Sequence, residues 1–133
     1  MSTLLLKNAD LLITMDKERR RIEGGGLFVR DNVIEAVGSS AELPQEAERI
    51  IEAGGMVVLP GLVNTHHHLY QTLTRALPLV TDVELFDWLS TLYNIWAELT
   101  SEAVYISALV GLAELALSGC TTTTDHLYLF PND

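Results

Sequence analysis

Two patterns of apolar positions divide the sequence. Up to about residue 58, short β-rich runs at residues 4–7, 11–14, 27–30, 33–37 and 49–52 are separated by turn chemistry at Asp16-Lys17-Glu18, Gly24-Gly25-Gly26, Asp31-Asn32 and Gly54-Gly55. That spacing predicts a small meander, with Asp31-Asn32 as a two-residue hairpin turn, because Asp and Asn tolerate the positive φ such turns require. After Met56-Val57-Val58-Leu59-Pro60-Gly61 the texture changes. Residues 62–66 read as a buried strand. Leu85, Phe86, Leu89, Leu92 and Trp96 then recur at helical spacing, with Thr81-x-x-Glu84 placed as a capping box. Val104, Ala108, Leu112 and Leu115 mark one face of a second helix, capped by Thr100 and stopped by Gly119. The β-branched run at residues 120–125 suits a strand. Strand, helices, strand is the order of a parallel βα unit, whose strand ends are the place for chemistry. A β segment at residues 1–58 and a βα segment at residues 59–133 are therefore expected, and no internal repeat points to a solenoid.

Composition narrows the partners. With 18 acidic and 8 basic residues among 133, the formal net charge is −10. No Lys/Arg cluster is present to grip phosphates, so a nucleic-acid partner is not expected. Apolar types make up 48% of the chain, enough to bury a real core at a length that suits one domain. Cys120 is the lone cysteine, which excludes an internal disulfide and a cysteine-based zinc cage. Leu4-Leu5-Leu6 is interrupted by Lys7, Asn8 and Asp10, too early for a signal peptide or a membrane span, so no membrane partner and a cytoplasmic location are expected.

The informative stretch is Pro60-Gly61-Leu62-Val63-Asn64-Thr65-His66-His67-His68. Alternate side chains of a strand share a face, so His66 and His68 point one way and His67 the other. Two imidazoles aimed at one point suit a divalent metal, which accepts imidazole nitrogen at about 2.0–2.1 Å and, in catalytic sites, takes about three protein ligands. Gly61 allows tight backbone passage ahead of the strand, and Pro60 suits its beginning. Three consecutive histidines can also be plain polar surface; the surrounding residues weigh against that.

This string resembles the amidohydrolase superfamily motif, commonly Pro-Gly-aliphatic-aliphatic-Asp-x-His-x-His. The likeness is closest to the aminohydrolase branch, which deaminates purines, pyrimidines and triazines, and within it to the 8-oxoguanine deaminase and hydroxydechloroatrazine ethylaminohydrolase group. Supporting stretches are His66 through Arg75, Leu85-Phe86-Asp87-Trp88-Leu89, and Ser118-Gly119-Cys120 through His126. The resemblance covers residues 56–133 closely and the earlier half in outline.

The resemblance implies an α/β fold: a metal-dependent (β/α)8 barrel preceded by a small β-sandwich segment. His66 and His68 are the implied ligands of one divalent ion, zinc or alternatively iron. Asn64 departs from the usual Asp, a change expected to alter local hydrogen bonding without removing a ligand. Gln71 matches a glutamine that related guanine deaminases set against the heterocycle, and an amide offers such an edge both a donor and an acceptor. Trp96 stands near where nucleoside-type relatives carry a Glu for the ribose, so it is assigned to substrate binding and favours a free base. For Gln71 the plain alternative is a helix-surface residue, and for Trp96 a core position. Asp125 and His126 close the second barrel strand and are expected to border the site.

The expected activity is hydrolytic deamination of a small heterocycle, an 8-oxoguanine-like purine or a hydroxytriazine, by an enzyme that forms a homo-oligomer when complete. A barrel needs about 250 residues. By the same resemblance, the third histidine ligand, the proton-shuttling Glu, a further histidine and the metal-ligating Asp have no counterpart here. The chain is thus expected to be the N-terminal part of such an enzyme, with no catalytic residue of its own and no activity alone. Cytidine-deaminase chemistry is excluded, since its Pro-Cys-x-x-Cys element needs a second cysteine. Two rival readings are a non-catalytic metal-binding or partner-dependent module, and a two-metal cyclic-amide hydrolase of the dihydroorotase type.

Overall fold

Residues 2–131 are described by the computed structural model. The chain folds as two units, Met1–Pro60 and Gly61–Asp133.

The first unit holds strands β1 (Thr3–Ala9), β2 (Leu11–Ile13), β3 (Arg21–Ile22), β4 (Gly25–Arg30), β5 (Val33–Ser39), β6 (Arg49–Glu52) and β7 (Val57–Val58). They form two sheets rather than one meander, ordered β5-β4-β1-β6 and β3-β2-β7. The expected β4–β5 hairpin is present, pairing Arg30 with Val33 around Asp31 at φ 53°. The meander fails at Ala9. There the ladder of β1 loses register and Asn8 takes φ 61°, so β2 leaves for the second sheet. β1 and β2 then each recruit a distant strand in parallel, β6 and β7. Burial drives this exchange. Leu5 packs with Phe28 and Leu43, while Ala9, Leu12 and Ala53 gather Leu6, Ile22, Leu27, Val37 and Val58 from both sheets.

The second unit is one βα crossover. Strand β8 (Leu62–Asn64) pairs in parallel with β9 (Cys120–Thr123), and helices α1 (Leu85–Trp96) and α2 (Ser101–Leu117) lie between them in sequence. That is the order in which a parallel (β/α) barrel opens. The β8–β9 ladder is irregular between Leu62 and Val63, and Thr121 is the residue skipped. A Cβ on Gly61 would collide with the Thr121 side chain, so the close approach at this bulge requires glycine there.

Both helices begin where expected, by different means. Glu84 is the N-cap of α1 and makes no side-chain cap; the Thr81 hydroxyl instead donates to the Pro78 carbonyl, so the capping box is absent. Thr100 does cap α2, accepting from the Ala103 N–H at 3.2 Å. The buried stripe of α1 runs through Trp88, Leu89, Leu92, Ile95 and Trp96, leaving Leu85 and Phe86 exposed. In α2 the buried positions are the small residues Ser107 and Gly111, and Leu112 faces solvent. Small residues let the helix come close: a Cβ on Gly111 would stand 2.8 Å from Leu69 Cδ2 and 2.9 Å from Thr72 Oγ1. The core of this unit is Tyr70, Val80, Leu92 and Trp96. Strand β8 is shorter than expected and is not buried, with Leu62 and Val63 both exposed. Among the described residues no helix is long and apolar enough to cross a membrane.

Candidate functional site

Strand β8 ends at Asn64 because that side chain turns the backbone. Its Oδ1 accepts the His66 N–H at 3.0 Å, a local bond of the kind Asn makes in competition with a ladder. His66, His67 and His68 therefore lie just past the strand. A 3-10 turn, Leu69–Thr74, follows directly. The second side of the site comes from the end of β9: His126 donates its N–H to the His67 carbonyl at 2.8 Å, and Asp125 Oδ1 accepts the Leu69 N–H at 2.9 Å. Buried Ser107 of α2 donates to the Leu69 carbonyl at 2.7 Å and accepts the Leu73 N–H at 3.3 Å, fixing the turn from behind.

The Nε2 atoms of His66 and His68 lie 3.2 Å apart. Two nitrogens bound at about 2.0–2.1 Å to one tetrahedral ion stand about 3.3 Å apart, so the pair fits a shared divalent metal. His68 Nδ1 lies 3.0 Å from the His126 carbonyl oxygen. A carbonyl only accepts, so Nδ1 donates to it and Nε2 is left to face His66; a backbone carbonyl on the far ring nitrogen is what orients metal-bound histidines. His67 differs from both neighbours: its Nδ1 is buried without a hydrogen-bond partner among the described residues, and its ring lies towards Gly111 of α2. No group of three or more His, Cys, Asp or Glu side chains suited to a metal is found among the described residues.

Gln71 sits half-buried in the 3-10 turn and lines a cavity of about 230 Å³ with His66, His67, His68, Thr72 and Arg75. Its Nε2 donates to the Tyr70 hydroxyl at 3.0 Å. Trp96 does not join this wall. It is 1% exposed, edge-on to Tyr70, and its indole N–H donates to Thr74 Oγ1 at 3.1 Å. Burial and a satisfied indole place it in the core, so the expectation that it faces substrate is not met. A second aromatic group backs the histidines. His68 meets the rings of Tyr70 and Tyr128 edge-on, at 6.2 and 5.7 Å between centroids. The Tyr128 hydroxyl is held above its ordinary range, chiefly by donating to Tyr70; Tyr93 is raised in the same way by donating to Tyr128.

Sequence reasoning missed Arg75, whose guanidinium borders the cavity and pairs with Glu114 at 2.6 Å. It also missed the hydroxyl line from Tyr93 to Tyr70. Neither carries a sequence signal, since both depend on which turns the fold stacks together.

The amidohydrolase family profile matches residues 57–130. The 8-oxoguanine deaminase of Pseudomonas aeruginosa is 54% identical over 108 residues, covering 80% of this chain and 24% of that protein. A 5'-deoxyadenosine deaminase of Methanobrevibacter smithii is 38% identical over 99% of this chain and 29% of its own length. Among solved structures, a zinc complex of atrazine chlorohydrolase from Arthrobacter aurescens superposes with a TM-score of 0.85 at 30% identity, over 92% of this chain and 28% of that one. The chain thus spans about a quarter of the length of the proteins it matches.

Proposed function

The chain belongs to the amidohydrolase family, and from that premise we propose that it forms the metal-binding opening of a hydrolytic deaminase acting on a free amino-heterocycle, an 8-oxoguanine-like purine or a hydroxytriazine. The observation that carries this reading is the His66–His68 pair, 3.2 Å apart at Nε2 and braced through Nδ1 of His68 by the His126 carbonyl. These two imidazoles would hold a divalent ion, zinc or alternatively iron, on the side where their Nε2 atoms converge. When bound, such an ion supplies a water whose pKa is lowered towards about 7 and so a nucleophile at neutral pH. His68 keeps its tautomer through Nδ1, and Gln71 presents its amide to the heterocycle's oxo or ring N–H edge. The reaction consumes water and exchanges the ring amino group for oxygen, releasing ammonia.

The preference for a free base rests on the higher identity to the 8-oxoguanine deaminase than to the 5'-deoxyadenosine deaminase, and on Gln71 at the cavity wall. Trp96 contributes nothing to it, being buried. The test is kcat/KM of the full-length protein for 8-oxoguanine, guanine, a hydroxytriazine and 5'-deoxyadenosine, with Gln71→Ala alongside. The free bases are expected to lead, and Gln71→Ala to lower their kcat/KM about tenfold or more. A win for the nucleoside, or no effect of Gln71→Ala, overturns the substrate assignment.

A further inference from the structure

His68 stands where regular structure has run out. The pairing of β8 with β9 reaches the Thr124 N–H, which donates to the Asn64 carbonyl at 3.0 Å; the next contact joins the His126 N–H to the His67 carbonyl at 2.8 Å. Three residues pass on the histidine side for two on the β9 side, so the histidine side carries an extra residue, as in a bulge. His68 itself takes φ −128° and ψ 82°, neither strand nor helix. Its two peptide planes are held from outside. The plane before it is held by the His126 N–H at the His67 carbonyl, and the plane after it by Asp125, whose Oδ1 accepts the Leu69 N–H at 2.9 Å. Neither bond can be read in reverse, because a backbone N–H only donates and a carbonyl or carboxylate only accepts. Leu69 is 6% exposed, so water is a poor substitute for that carboxylate. His66 differs: its N–H is held by Asn64, two residues away, a bond that needs nothing from β9.

We propose that Asp125 is a positioning residue for His68. By accepting the Leu69 N–H it fixes the peptide plane between His68 and Leu69, and with it the direction along which the His68 side chain leaves the backbone towards His66. The His126 carbonyl on Nδ1 then has only the rotation of the ring left to set. Of the contacts that reach His68 and its flanking planes from the end of β9, the one made by Asp125 is the one a substitution can remove, since His126 contributes through its backbone. His66 is fixed within its own segment, so losing the Asp125 carboxylate misdirects one imidazole of the pair and spares the other.

The consequence for a bound ion rests on the metal reading proposed above, so the first measurement is made on full-length protein stripped of metal. There Asp125→Ala is expected to speed hydrogen exchange at the Leu69 amide about tenfold or more, and to shift the side-chain ¹⁵N resonances of His68 further than those of His66. Asp125→Asn keeps an acceptor oxygen in the same place and is expected to preserve both signals. Unchanged Leu69 exchange in Asp125→Ala, or His66 displaced as far as His68, overturns the proposal. The second measurement is zinc affinity by chelator competition. Asp125→Ala and Asp125→Glu are each expected to lose about tenfold or more, and Asp125→Asn to stay within about threefold. Glutamate keeps the charge but carries its carboxylate one methylene further out, so the Asn and Glu variants decide between position and charge even where the alanine variant fails to fold. Affinity kept by Asp125→Glu and lost in Asp125→Asn means that charge is what matters and overturns the positioning role. Wild-type protein that takes up no zinc, with His68 still shifted by Asp125→Ala, rejects the metal reading and leaves the positioning role standing.

Discussion

His66, His67 and His68 have identical side chains in consecutive positions, yet the turn after β8 sets them to different tasks. His66 and His68 converge at Nε2, while His67 is turned towards Gly111 and has a buried, unpartnered Nδ1. In the full-length protein, His66→Ala and His68→Ala are each expected to remove most of the bound metal, and His67→Ala to retain it, as read by elemental analysis after gel filtration. Equal loss from His67→Ala contradicts the assignment. The converging pair was legible in the sequence because residues two apart fall on one side of any extended backbone. What holds the pair was not. The brace on His68 is a backbone carbonyl, a group every residue carries, and His126 supplies it only because β9 lies beside β8. Trp96 misled for a similar reason: a tryptophan at helical spacing looks the same in sequence whether it faces a core or a cavity.

At the scale of elements, the strands and helices were read nearly in place, whereas their contacts were read less well. Reading α2 by its large apolar residues picked Leu112, which is 44% exposed, and passed over Ser107 and Gly111, where the helix meets the Leu69–Thr74 turn. Close helix packing selects small residues, and these carry no hydrophobic signal. The 3-10 turn was illegible for its own reason, being too short to show a period. Gly111→Ala is expected to destabilise the protein by about 1–3 kcal/mol, since the added methyl meets Leu69 and Thr72 below van der Waals distance. Leu112→Ala on the exposed side is expected to stay within about 0.5 kcal/mol. Urea unfolding compares the two, and the reverse order would show that α2 docks on another face. In the first unit, local alternation gave the β4–β5 hairpin, but the parallel partners of β1 and β2 come from at least 40 residues onward, beyond the reach of turn chemistry.

Taken whole, the molecule combines a net charge of −10 with large apolar side chains open to solvent, among them Phe86 at 82% and Leu117 at 90% exposure. Apolar side chains left open to water take up hydrophobic dyes. The 133-residue chain by itself is expected to bind the dye ANS and, with zinc added, to release no ammonia from 8-oxoguanine above a zinc-only control. Its described residues offer the ion two converging imidazoles and no cluster of three donors. Turnover by this chain would place the catalytic groups within it. The contact between His68 and His126 carries a different consequence. The His66 and His68 rings are two residues apart, but the brace that orients one of them spans 58 residues, closing a loop that contains both helices. The two imidazoles are thus local and their orientation is not. By thermodynamic linkage, docking of β9 and affinity at the His66–His68 pair must favour each other by the same factor. For the ion proposed at this pair, loosening β9 far from the histidines is expected to weaken its hold, and its binding to clamp shut a loop whose closure entropy the helices alone would otherwise have to offset.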